Sequence, residues 1–442
     1  MAYSEKTTSS YGNRLSDSIK NIAAGAVLFV IGTVLLFWNE GNYIKTYRAI
    51  KEAESAAVPM DNPASVDPTY EGKLVHASAL ATTQDILRDD LFGVSVNAIK
   101  LFRKVEYYQW QENESTAIQD EIGGGQKTTT EYTYQKQWEP KPVASDAFKD
   151  PQYRGTNTVL TTVENREQLA ETVTFGGYTL PEFIKTSISG EVPVEVQLTD
   201  EQIQQWETVL TGPPPVAEQP TAPIPGAPPL DTATIDTMSW DTTSIDVTST
   251  TPTPTAVAQK KNPHHVHIAN NTVYFGASPA APQVGDVKIT LTKVLPAEIS
   301  IIAKVNGSTF GRYTAKNGKT FSSFRMGVVS ADEIFQGEHS SNTMIMWILR
   351  VVGVLVVVMS LKLTFSILPS LFKILPFLGN LVGAGVGLFC ILGGVSWSLL
   401  VIAVAWLFYR PLIAVVLLVL VGAAIYYLSQ ASKNGKAQPT LE

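Results

Sequence analysis

The chain has 442 residues, 45% hydrophobic, 9% aromatic and 17% charged. Its length allows two or three ordinary domains. The charged fraction falls below the ~25% of soluble globular domains, which excludes a highly charged disordered chain and disfavours a purely soluble one. With 33 Lys plus Arg against 40 Asp plus Glu the formal charge is −7, excluding a globally basic nucleic-acid binder, and the single cysteine, Cys390, excludes an intramolecular disulfide framework.

In chain order, residues 22–38 form the first uncharged apolar run. As a helix this run spans about 26 Å, which its flanks can extend to the thickness of a hydrocarbon core. Asn21 and Asn39 flank it, and Trp38 suits the membrane interface. A cleavable signal would be shorter and end in small residues. Here the run ends in Trp38-Asn39-Glu40-Gly41, so an uncleaved signal anchor over 22–41 is expected after a tail at 1–21.

The region 42–211 reads mainly as β structure, with period-2 alternation at 73–79, 94–102, 105–111 and 128–138. The segments 105–110 and 132–138 are expected to pair as a hairpin around Gly123-Gly124-Gly125. Tyr132, Tyr134 and Trp138 would share one face, opposite Tyr108 and Trp110. Tyr43, Tyr47 and Ile50 continue a helical period beyond the first span. Thr199-Asp200 followed by Ile203, Trp206 and Leu210 reads as a capped amphipathic helix.

Residues 212–261 are rich in Pro and Thr and poor in large apolar side chains, so they read as a disordered insertion or linker. The second part of the domain follows at 262–343, with a strand at 286–293. The two halves are expected to meet in space across the insertion. Ser330-Ala331-Asp332 should start a short helix leading to the second span.

The C-terminal part carries the remaining apolar mass. A second span is expected at 344–368, a loop or interfacial helix at 369–387, and spans at 388–409 and 411–428, with Arg410-Pro411 as the break. The glycine-rich 379–387 stretch could instead begin a longer span. Lys6, Arg14, Lys20, Lys373, Lys433 and Lys436 fall on one side if the first helix runs outwards, so both termini, including a tail at 429–442, are expected in the cytosol. The fold class is therefore a membrane protein of α+β type: one N-terminal and three C-terminal transmembrane helices flanking a β-rich extracytoplasmic domain.

Catalytic motifs are not evident. There is no G-x-S-x-G, no H-E-x-x-H and no zinc-type cysteine spacing. Gly123 to Thr128 lacks the glycine before lysine that a phosphate loop needs, and a hairpin turn explains it better. On a strand, His265 and His267 share a face and could supply two metal ligands, but no further ligand is obvious and a polar strand explains them better. Arg350 and Lys362 read as snorkelling to opposite interfaces, and Arg410 as an interfacial turn. No Asp or Glu occurs from 342 to 436, which argues against a proton-coupled carrier.

The motifs LLFWNEG (35–41), EGKLVH (71–76), VEYYQW (105–110), YTYQKQW (132–138), VGDVKI (284–289) and WLFYRPL (406–412) together give the chain a resemblance to the transmembrane protein 43 (LUMA) family. The resemblance covers nearly the whole chain. It implies four membrane helices and a large lumenal loop. For animal members it also implies residence in the endoplasmic reticulum and inner nuclear membrane, self-association, contact with emerin and lamins, and organisation of the envelope. It supplies no catalytic residues and no cofactor. Asn39, Glu40, Gly41, His76, Trp110, Trp138, Arg410 and Pro411 are motif positions without an assigned role. The insertion departs from the animal members, which is compatible with a bacterial homologue in an inner membrane and counts against nuclear partners.

The functional expectation is a non-enzymatic multi-pass scaffold whose partners are the bilayer, further copies of itself and other membrane proteins, with no nucleic acid. The alternative is a channel or transport accessory using the glycine-rich C-terminal helices.

Overall fold

The computed structural model describes residues 3–211, 265–410 and 419. The 212–261 insertion, His264, Pro411, the expected 411–428 helix apart from Val419, and the 429–442 tail lie outside the described residues. The elements used below are, in chain order, β1 (Tyr3–Ser9), α1 (Tyr11–Ala56), β2 (Leu74–Thr82), β3 (Lys100–Asp120), β4 (Gln126–Glu139), α2 (Asp200–Thr211), β5 (Val266–Ala269), β6 (Thr272–Phe275), β7 (Val287–Val294), β8 (Ala297–Asn306), α3 (Ala331–Thr364), α4 (Ile367–Phe372) and α5 (Pro376–Tyr409).

Three helical stretches among the described residues are long and apolar enough to cross a membrane: Tyr11–Ala56, Ala331–Phe372 and Phe377–Tyr409. The first is much longer than the expected 22–41 segment. α1 has 46 residues, about 69 Å of helix. The Ser10 hydroxyl caps it by accepting from the Asn13 N–H at 3.3 Å. No proline interrupts it before Pro59, so it runs through the expected span and on into the sheet domain.

α3 behaves the same way. Ser330 caps it, accepting from the Glu333 N–H at 3.3 Å. The helix then continues unbroken to Thr364, so the short helix expected before the second span is part of that span. The expected 369–387 loop or interfacial helix is confined to its first part, a short helix and a turn at 373–375. α4 takes its first residues, and α5 starts at Pro376 and runs through the glycines to Tyr409. Proline tolerates a first helical turn, and nothing charged breaks the run after it.

The domain contains two large sheets. The first, 8-stranded, runs β1–β4–β3–β7–β6–β5, with Arg166–Leu169 beside β3 and Glu191–Pro193 beside β7. In the second, 7-stranded, β2 pairs antiparallel with β8. From β8 the pairing passes through Thr309–Gly311, Tyr178–Thr179 and Thr174–Phe175 back to β2, closing a circuit, with Ser323–Met326 added beside β8 and Val58–Pro59 beside β2. Phe175, Tyr178 and Phe310 are buried in its core. In each sheet, strands from before and after the insertion are hydrogen-bonded, β3 to β7 and β2 to β8, so the two halves do meet. The expected 94–102 strand is broken. Val94–Asn97 pairs with Ile86–Asp89, and β3 begins at Lys100.

The 105–110/132–138 hairpin forms with Tyr108 opposite Trp138, ring centroids 5.2 Å apart. It also extends well beyond that aromatic base. β3 and β4 continue as a polar arm to a turn at 121–125, where Gly123 and Gly124 adopt φ of +94° and +84°, a region costly for other residues. The 21 residues of β3 span roughly the length of α1, so the arm's tip reaches the far end of the helices.

There the tail at 1–21 meets the arm. β1, from the tail expected in the cytosol, pairs with β4 along its whole length, Tyr3 to Tyr132 through Ser9 to Gln126. Asp120 at the tip binds Arg14 at 2.8 Å and Lys373 at 3.0 Å. This pairing covers an otherwise open edge and satisfies its backbone groups. Strands carrying Glu112, Glu114 and Glu131 with an open edge cannot lie in lipid. Pairing of β1 with β4 and separation of tail and domain by a bilayer therefore exclude one another.

Candidate functional site

α1 and α3 pack antiparallel along a stripe stepping by seven residues. On α1 the stripe is Gly25, Gly32 and Asn39. On α3, read backwards, it is Thr364, Val357 and Arg350. A Cβ on Gly32 would approach Val357 Cγ2 to 2.9 Å, and one on Gly25 would run into the Thr364 side chain. From the other side, a Cβ on Gly353 would come 2.5 Å from Leu36 Cδ2. Gly25 and Gly32, seven residues apart, let the two helices approach closely, where dispersion rather than the hydrophobic effect drives packing.

At the sheet-domain end of this seam the glycines give way to Asn39-Glu40-Gly41, and all three side-chain positions are used. Asn39 Nδ2 donates to the Met346 carbonyl at 3.0 Å. Glu40 accepts from Arg350 Nε at 2.6 Å and Nη2 at 2.9 Å, a two-pronged pair whose side chains are 2% and 11% exposed. Trp406 Nε1 of α5 adds a third bond to Glu40 at 2.9 Å. Gly41 leaves room for the Tyr409 ring of α5, which any Cβ would strike. The Arg350 guanidinium lies 4.8 Å from the Trp347 ring centroid and 5.8 Å from that of Trp406.

Arg350 therefore does not snorkel. It neutralises a carboxylate brought from 310 residues away, and the cluster clasps α1, α3 and α5 at one point. A desolvated carboxylate with three charge-assisted or polar donors is stable only while all three helices hold their places.

Arg410 stands just outside the clasp. Its guanidinium lies 5.1 Å from the Trp406 ring centroid and 5.7 Å from that of Tyr43. Beyond this point α1 and α3 continue into the domain, where polar contacts hold them. Asn342 Nδ2 donates to the Tyr43 carbonyl at 3.2 Å, Lys319 Nζ to Asn42 Oδ1 at 2.6 Å, and Tyr313 to Glu52 at 2.9 Å. Ile50, Ala53, Ile334 and Phe335 join Leu74 and Ile302 in one buried cluster, so both helices are packed into the second sheet.

The other motif positions lie elsewhere. His76 on β2 hydrogen-bonds the Val329 carbonyl at 2.9 Å, just ahead of α3. Trp110 packs edge-on to Tyr153 at 4.7 Å and carries Lys136 over its face at 5.0 Å. Trp138 carries Lys288 at 4.5 Å. The aromatic ladder is thus engaged internally. Burial, reinforced by its hydrogen bond to Glu112, pushes the Tyr134 hydroxyl up to about 12.

The two histidines diverge. His265 Nδ1 lies 3.3 Å from Glu207 Oε2 on α2, while His267 Nε2 faces the Gly276 carbonyl at 3.0 Å. Among the described residues no group of three His, Cys, Asp or Glu side chains could hold a metal ion. α2 is capped reciprocally, as expected. Gln202 N–H donates to Thr199 Oγ1 and Thr199 N–H to Gln202 Oε1. Its Trp206 stacks on Phe92 at 5.7 Å.

Apolar helices that run without interruption into a sheet-rich domain, joined by a buried ion pair, define an integral membrane protein of mixed α and β structure. The family model for transmembrane protein 43 matches residues 107–411. The chain belongs to that family. It is 29% identical to rat transmembrane protein 43 over 415 residues, covering 91% of this chain and 88% of the relative. It is 27% identical to the human protein over 425 residues, 93% and 90% of the two chains. It is 23% identical to the fruit-fly homolog over 416 residues, 91% and 92%. No solved structure matches the chain.

Proposed function

We propose that the chain is a non-enzymatic membrane scaffold that presents its sheet domain from a stiff helical base to other membrane proteins and to further copies of itself. The observation that carries this reading is the continuity of α1 and α3 from the apolar segment into the domain, with Glu40, Arg350 and Trp406 fastening them where the two parts join. A loop-linked domain would move freely against its anchor; one carried on two clasped helices transmits position and load. The channel reading is weaker. The Glu40 carboxylate is already compensated by Arg350, so it is not free to hold a permeating cation.

Membership of the family supports the endoplasmic reticulum and inner nuclear membrane as the compartment in a eukaryote, and an inner membrane in a bacterium. Emerin- or lamin-like partners belong to this reading only in an animal setting. Loop charges support cytosolic termini; the β1–β4 pairing supports the opposite for the N-terminal tail.

The scaffold reading is tested on the full chain in lipid nanodiscs and by crosslinking in native membranes. Discrete oligomers or reproducible crosslinked membrane partners are expected. A strictly monomeric particle that captures no partner would refute it.

A further inference from the structure

Just beyond the Glu40–Arg350 clasp, α5 ends at Tyr409 while α1 continues towards the sheet domain. Where the two part lies a cavity of about 390 Å³, lined by Tyr43, Ile44, Tyr47, Arg48 and Arg410. This lining holds two guanidiniums and no carboxylate. Among the described residues neither arginine forms a salt bridge. Arg48 Nη2 donates to the Tyr409 carbonyl at 3.3 Å, and Arg410 lies against the Trp406 and Tyr43 rings. Most of their N–H donors are left without a protein acceptor.

A second cavity, of about 380 Å³, is a groove between α1 and α5 on the membrane side of the first. Val34, Phe37 and Trp38 line it from α1, and Leu400, Val404 and Tyr409 from α5. Its walls carry no charge, and its Thr33 hydroxyl accepts from Trp397 Nε1 at 3.0 Å. Val34, Phe37, Gly41, Ile44 and Arg48 recur at helical spacing along one face of α1, so groove and basic cavity follow each other on the same side of the helix. Tyr409 joins them: its ring packs against Gly41 and its carbonyl holds Arg48. Trp38, Tyr43, Tyr47, Trp406 and Tyr409 ring the junction, as side chains do at a membrane–water interface. Neither β3 nor β4 contributes to either lining.

We propose that the two cavities together bind one anionic phospholipid, its phosphate between Arg48 and Arg410 and an acyl chain in the groove between α1 and α5. Two guanidiniums without a carboxylate require an anion, and their N–H forks match phosphate oxygens. A free phosphate would leave the uncharged groove without an occupant. A choline headgroup would bring a further cation against the two arginines. Basic sites between helices at a membrane boundary suit this chemistry.

The test uses the full chain in mild detergent, with native mass spectrometry of added dioleoyl phosphatidylglycerol, dioleoyl phosphatidylcholine or inorganic phosphate. The wild-type chain should retain phosphatidylglycerol at least about tenfold more tightly than phosphatidylcholine. R48Q/R410Q should abolish that preference, and R48Q alone, at an exposed position, should cut it at least about threefold. K45Q, which removes an exposed cation outside both linings, should leave it intact. V404W, which fills the groove without changing charge, should weaken retention of both lipids at least about tenfold. Equal retention of the two lipids by the wild-type chain, equal losses in K45Q and R48Q, or undiminished retention in V404W would overturn the proposal. Inorganic phosphate that displaces phosphatidylglycerol at comparable concentration would assign the arginines to free phosphate and overturn the lipid assignment. In a Cys390→Ser background, V34C that crosslinks to a second chain, or to L418C in its own, would assign the groove to protein and do the same.

Discussion

Leu36 and Gly353 form a close contact in the helix seam and allow its packing to be measured. Leu36 is completely buried, and a Cβ on Gly353 would lie 2.5 Å from its Cδ2 and 2.7 Å from its Cγ. Leu36→Ala removes those atoms and should cost about 2–5 kcal/mol, the range for emptying a filled site. Gly353→Ala forces a methyl into occupied space and should cost about 1–3 kcal/mol. In the double variant the new methyl enters the space the leucine has left. The combined loss should then fall short of the sum by at least about 1 kcal/mol. Unfolding followed by circular dichroism in detergent gives all three values. A combined loss within about 0.5 kcal/mol of the sum would mean that the two positions do not touch, and would refute the seam.

Two further outcomes follow from the domain. Burial opposes ionisation of Glu207, but the Val266 and His265 amides and the His265 ring hold its pKa below the usual range. That stabilisation is complete above the unfolded carboxylate value near 4.3 and is lost as pH falls through the lower folded value. E207Q should therefore flatten the fall in unfolding midpoint below about pH 4.5, and an unchanged acid limb would contradict the contact. Thr7→Cys with Thr128→Cys, in a Cys390→Ser background, probes the register that places those residues opposite each other. The structure predicts efficient disulfide formation in native membranes. Its absence, with the two thiols labelled from opposite faces, would restore the topology read from loop charges.

Much of this architecture could be read along the chain. The helical period of Tyr43, Tyr47 and Ile50, the Thr199 cap and the alternation around Tyr108 and Trp138 are local signals, and local signals survive in sequence. The clasp is not local. Arg350 on an isolated helix reads as a snorkelling cation, because its carboxylate lies 310 residues earlier at the edge of another span. The seven-residue steps of Gly25, Gly32, Asn39 and of Arg350, Val357, Thr364 were the available clue. Each is weak alone and informative only when the two stripes are laid against each other. The arm was also hidden. Its aromatic base marks a hairpin, but the polar continuation to Asp120 gains its meaning from β1 and Lys373, which are distant in sequence.

The central claim is that Glu40 and Arg350 fasten the membrane helices into one unit, and a double-variant cycle tests it most directly. Glu40→Gln keeps an acceptor for Trp406 but leaves the guanidinium unpaired; Arg350→Met strands the carboxylate. Each should cost about 3–5 kcal/mol in detergent unfolding, while E40Q/R350M, which leaves no buried charge in the pair, should lose far less than the sum. Single variants within about 0.5 kcal/mol of wild type, or strict additivity, would contradict the account.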